Sequence, residues 1–328
     1  MAVALPVAGA LLLSACSSQT GKGDDALQIV ANPVAATAVQ SPAPAAPPAG
    51  TVLPAGNVTA MAADPADGVL AVAVGQPPAV LLYQLGDPGA APVRVSVPGV
   101  VEQLSFGGGR LLAPSAGHVT SISVTGQKSD LAVPGQPAGA IADGGKTLVA
   151  VRDRKSVDVY QDGKFVKSIT GGLYSADAVV RSGNQTVVLD RLRTAVFLVD
   201  VDGGTIGQGL RAGEGATNAV ADSYGRVLVT DTRAGALLAF STDPFLLRQM
   251  YPVPGGVYGI AYDAPRHLAW VTLTARNEVV GFDVRGGEPV EKYRFPAVRQ
   301  PNSVTVDGQT GTVYVGSATG EGIQVIQP

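Results

Sequence analysis

The 328 residues carry 23 Lys and Arg against 26 Asp and Glu, a formal charge of −3, and they are 46% hydrophobic but only 5% aromatic. An apolar content built on Ala, Val and Leu excludes wholesale disorder, and the lack of any Lys/Arg block excludes a phosphate-neutralising nucleic-acid binder. A single cysteine, Cys16, and two histidines, His118 and His267, exclude an intrachain disulfide and a Cys/His zinc site.

Residues Ala2 to Leu13 (AVALPVAGALLL) form an apolar run of twelve, too short for the roughly 20 residues a membrane-crossing helix needs. It reads as the core of a signal peptide spanning residues 1–15. The run ends in Leu13, Ser14, Ala15 and Cys16, which resembles the lipobox of bacterial lipoproteins. The resemblance implies that signal peptidase cuts before Cys16 and that the sulfur takes a diacylglycerol. An exported protein, anchored through lipidated Cys16 to the outer face of the cytoplasmic membrane, is the expectation. A signal peptide also carries a positive n-region, and no Lys or Arg precedes Lys22, so the start is read as truncated or mis-called.

After Cys16 comes a small, polar stretch and then NPVAATAVQSPAPAAPPAGTVLPAG from Asn32, dominated by Pro and Ala. Polyproline-like composition predicts a stiff tether over residues 16–50, with Ala26 to Ala31 (ALQIVA) as a candidate strand within it.

Residues 51–328 show short Val/Leu-rich runs between Gly, Asp, Asn and Pro punctuation, a β pattern. The clearest unit, NAVADSYGRVLVTDTRAGALLAF, runs from Asn218 to Phe240; related units start near residues 59, 103, 139, 177, 259 and 303. A period of about 40 residues is that of a four-stranded blade. An all-β propeller of seven blades is predicted, six or eight being the alternative counts. The last unit stops after its third strand, so residues near Thr51 to Leu53, or ALQIVA, are expected to supply the fourth and close the ring. GRVLVTDT from Gly225 and QPNSVTVD from Gln300 resemble NHL and YVTN-type propeller repeats. LRAGEGATNAVADSYGRVLVTDTRAGALLAF, DPFLLRQMYPV and EPVEKYRFPAVRQPNSV are similar to the mycobacterial lipoprotein family LppL. That resemblance implies a surface-anchored propeller and carries no catalytic residues.

Asp153, Asp190 and Asp231 occupy one position in three successive repeats, where the second strand ends, interleaved with Arg191 and Arg233. A carboxylate there accepts hydrogen bonds from turn amides; with the arginines it also outlines a face for an anionic ligand. Glu214, Asn218, Tyr258 and Asn302 fall in loops before first strands and are placed near the channel mouth. Glu214 with Asn218, Asn302 and an aspartate would offer Ca²⁺ an oxygen-rich site, as in lactonase-type propellers. His118 and His267 fall in turns on opposite faces, no G-x-S-x-G occurs, and Trp270 reads as core. A non-enzymatic envelope scaffold for a protein or glycan is the favoured expectation, without a cofactor. A Ca-dependent hydrolase or lactonase is the alternative.

Overall fold

The computed structural model describes Met1 and residues 32–328; Cys16 and the ALQIVA segment lie outside the described residues. Seven four-stranded antiparallel sheets follow one another along the chain. Their innermost strands, A, begin at Val58, Ser105, Pro137, Ala178, Ala216, Val257 and Pro301, each within two residues of the repeat start read from the sequence. Successive A strands pack side by side, and the first also packs against the last. The chain is a seven-bladed β-propeller.

Blade five shows why these residues make these strands. Strands B (Arg226–Asp231) and C (Ala236–Thr242) are buried almost throughout, whereas rim strand D (Phe245–Pro252) is mostly exposed. Neighbouring blades cover both faces of B and C, so their sequences run apolar without alternation. Val180, Leu189 and Val196 of blade four meet Val227, Leu238 and Phe240 of blade five in one dry layer; each such side chain contributes about 1.5–3 kcal/mol. In blade six Trp270 is fully buried and stacks on Tyr293, ring centroids 5.6 Å apart. Its cross-strand partner is Gly281, where a Cβ would stand only 3.0 Å from the indole. Trp270 is core, as expected.

Closure follows the predicted route. Thr51–Leu53 pairs antiparallel with Ile323–Val325 and completes blade seven as its rim strand. The first strand of the described chain thereby seals the last sheet, and no ladder in the ring is left between an A strand and an open gap.

Residues ahead of Thr51 depart from the expected tether. From Val34 to Ala49 the chain lies on the face formed by the B–C and D–A loops, here called the top. Arg233 donates to the Val34 carbonyl (3.2 Å) and Gln300 Nε2 to that of Val39 (3.0 Å). Ser41 donates through Oγ to Thr274 O (2.6 Å) and through its amide to Gln300 Oε1 (2.9 Å). Asn277 reaches Pro42 O (3.1 Å), and Gln324 reaches Ala49 O (2.7 Å). Ala36 is buried against Gly215, whose added Cβ would come within 2.8 Å of the alanine methyl. Thus residues 34–49 are a strap docked on blades four to seven. Proline-rich chain has few amide donors to spend on itself, so its carbonyls are open to side chains of the loops beneath.

Candidate functional site

The top face holds the mouth of a central channel of about 730 Å³, lined by the A strands of the ring. Of the residues singled out from sequence, Arg191, Asn218, Tyr258 and Asn302 line this channel, whereas Asp153, Asp190, Asp231, Glu214 and Arg233 do not.

The three repeated aspartates stay within their own blades. Asp231, fully buried, accepts from the amides of Glu214 (2.8 Å), Gly215 (2.9 Å) and Ala234 (3.1 Å). Asp190, equally buried, accepts from the amides of Tyr174 (2.6 Å) and Arg193 (2.8 Å) and from Ser175 Oγ (2.9 Å). Burial pushes the Asp190 carboxyl above its usual value in spite of these donors. Asp153 stands exposed and accepts one amide, from Gln136 at 2.7 Å. Each ties a B–C turn to the D–A loop beside it, so repetition here reflects a loop requirement.

The oxygen set proposed for Ca²⁺ does not assemble. Asn218 donates Nδ2 to the Tyr258 carbonyl (3.0 Å), Asn302 Oδ1 accepts from Gln300 (2.9 Å), and Glu214 is exposed outside the channel. Among the described residues no three His, Cys, Asp or Glu side chains group as a metal site. The two histidines also stay apart, His118 at a B–C turn of blade two and His267 in the A–B turn of blade six. Arg233 is spent on the Glu214 carbonyl (2.9 Å) and on the strap.

The chemistry at the mouth comes instead from residues of blades two to four. Arg152 bridges Glu102 (Nη2 to Oε2, 2.6 Å) and Asp177 (Nε to Oδ1, 2.7 Å). The second oxygen of Asp177 accepts from the Arg191 amide (2.9 Å) and lies 2.5 Å from Ser175 Oγ, whose one proton it shares with Asp190. Burial would raise the Glu102 carboxyl, but the hydrogen-bonded Arg152 and the nearby Arg191 together hold it below the usual carboxylate range. Its pairing is therefore complete above pH about 4.5 and weakens only as pH falls through the lowered value. Arg191 sends Nη2 to the strap carbonyl of Ala36 (2.5 Å) and leaves Nε buried without a partner. Gln103, next to Glu102, leaves Oε1 buried and unpartnered as well. Two residues with an orphaned buried polar atom, Arg191 and Gln103, thus line the channel beside the ion-paired Arg152. Glu102, Gln103 and Asp177 were not singled out from the sequence; they stand just before A strands, Asn218 and Asn302 stand at the third and second residue of theirs, and this shared place at the entry of the A strand was the available signal.

No protein-family model matches this chain, and no curated protein matches it. Solved structures do. The fold is similar to Kuenenia stuttgartiensis hydrazine synthase, with TM-score 0.72 and 16% identity over 85% of this chain and 97% of that one. It is similar to a streptogramin B lyase, with TM-score 0.70 and 12% identity over 84% and 96%. A third likeness is to the WD40 propeller domain of Doa1, with TM-score 0.68 and 14% identity over 85% and 95%. At these identities the likeness establishes the propeller and nothing of its chemistry.

Proposed function

We propose that this chain is a non-enzymatic binding module of the cell envelope, lipid-anchored at Cys16, whose channel mouth takes a hydroxyl-bearing ligand. An envelope glycan, or a hydroxylated loop of an envelope protein, is such a ligand. One observation carries the reading: Arg191 and Gln103, each with a buried polar atom that has no protein partner, both line the same channel, where a small local shift would turn a donor and an acceptor to a ligand. A hydroxyl group is donor and acceptor at once. The carboxylates a hydrolase would use are held by loop amides or by Arg152. The LppL resemblance and the lipobox support the address. Among the described residues no helix is long and apolar enough to cross a membrane.

Two outcomes test this. Cys16→Ala is expected to move the protein from the membrane to the soluble fraction, because losing the modified sulfur removes the anchor; a variant that stays with membranes through a high-salt wash refutes the lipidation. Gln103→Met removes an acceptor that has no donor, so thermal stability is expected to hold or rise by up to about 1 kcal/mol, while binding on an array of envelope glycans falls. Unchanged glycan binding together with a clear loss of stability would show Gln103 to be a structural group.

A further inference from the structure

The strap fixes where the chain leaves the propeller. Its outermost anchored residue, Val34, is held by Arg233 at the top of blade five, and Ala36 is held by Arg191 at the top of blade four. Fifteen residues, 17–31, separate Cys16 from Asn32, a reach of at most about 55 Å at full extension. Turning the opposite face toward the anchor point would take the chain over the rim and down the height of a blade. A seven-residue strand such as Val257–Asp263 spans about 23 Å, so the height of the blade alone takes roughly two fifths of that reach before the way to the rim is added.

Charge points the same way. On the top face the cations Lys155, Arg191, Arg233, Arg276 and Arg299 form no ion pair among the described residues, and neither do the exposed acids Asp153, Glu214 and Glu321, so its unpaired charge is positive in balance. The opposite face, made of the A–B and C–D turns, leaves acids unpaired: Asp67, Asp87, Asp162, Asp243 and Glu288 are all exposed and outside any ion pair among those residues. Of its cations, Lys146, Arg181, Arg226, Arg266 and Arg285 are each matched to a neighbouring aspartate, and Arg110 and Lys164 stand outside any ion pair among the described residues, so its unpaired charge is negative in balance. A bilayer with anionic headgroups attracts the first face and repels the second within a Debye length.

We propose that the strap and this charge asymmetry dock the propeller top-down on an anionic membrane surface, with the channel mouth open toward the headgroups. The inference rests on the lipid anchor proposed above. It makes the strap an orienting device, and it makes the membrane side the one from which a ligand enters.

The test uses the full-length lipidated protein in phosphatidylcholine vesicles containing phosphatidylglycerol and a headgroup quencher. With Cys16 acylated, a new cysteine is the only free thiol. A fluorophore is placed at Thr319→Cys on the top face or Gly287→Cys on the opposite face. Several-fold stronger quenching of the top label is expected. Protein that fails to float with the vesicles overturns the anchor and this proposal with it; protein that floats but shows equal or reversed quenching overturns the orientation alone. Ala36→Trp with Ser41→Ala displaces the strap without touching a blade, and the quenching ratio is expected to fall toward one while flotation persists. Arg276→Glu with Arg299→Glu is expected to lower the ratio in the anionic vesicles and not in pure phosphatidylcholine. A ratio unmoved by both double variants also overturns the proposal.

Discussion

A chain that begins at Pro54 is expected to melt roughly 10–15 °C below the full-length protein, or to lose its cooperative transition altogether. Removing Thr51–Leu53 strips strand C of blade seven of its ladder partner and opens an edge beside the fully buried Ile323. Fit at this seam is close: Gly322 lies so near the Leu53 carbonyl that an added Cβ would stand 2.1 Å from it. Loss of the strap's bonds adds to the loss of the ladder. At about 0.5–1.5 kcal/mol for each hydrogen bond, the sum is of order 5 kcal/mol, and about 2–4 °C per kcal/mol converts it to the expected shift. A chain beginning at Gly50 keeps the closing strand and loses only the strap, so its fall in Tm is expected to be a fraction of that. Equal melting of both truncations with the full-length chain would mean that the ring closes without its N-terminal strand.

The second large effect belongs to Asp231. Asp231→Ala leaves the amides of Glu214, Gly215 and Ala234 without their acceptor beneath a fully buried site, and a loss of about 3 kcal/mol or more is expected. Asp190→Ala is expected to cost somewhat less, about 2 kcal/mol or more, since Asp190 is equally buried but holds two amides of its own and shares the Ser175 hydroxyl with Asp177. Asp153→Ala, at the same repeat position but exposed with one amide bond, is expected to cost under about 1 kcal/mol. Because each carboxylate serves its own loop, the Asp190 and Asp231 losses should add within about 0.5 kcal/mol, and Ca²⁺ should not shift the Tm of either wild type or variant. Coupling between the two, or a calcium shift that Asp231→Ala abolishes, would return these residues to a shared metal site.

The architecture was legible because each blade repeats a short local grammar. An apolar run with no alternation, such as VLVT before Asp231, announces a strand covered on both faces, and the period of such runs counts the blades. The missing fourth strand of the last unit even pointed to its replacement at Thr51. The strap was not legible. Its anchoring rests on small residues, Ala36 and Ser41, which are ordinary in a Pro/Ala-rich spacer; the features that receive them, Gly215, Asn277 and Gln300, lie more than 170 residues away in sequence. At the candidate site, position was readable and chemistry was not. Asp153, Asp190 and Asp231 stood out because they repeat, and repetition marked a shared loop requirement. Glu102, Arg152 and Asp177 occur once each, 50 and 25 residues apart, and they meet only because the ring sets blades two, three and four side by side.

The binding claim meets its most direct test in intact cells carrying the native lipidated protein with a photo-crosslinking side chain at Tyr258, in the channel wall, or at Asp243, on the opposite face. The account predicts an envelope adduct from Tyr258 that disappears when Gln103→Met and Arg191→Met are introduced together, and none from Asp243. Adducts from Asp243 alone, or a Tyr258 adduct indifferent to those substitutions, would contradict a ligand held at the channel mouth.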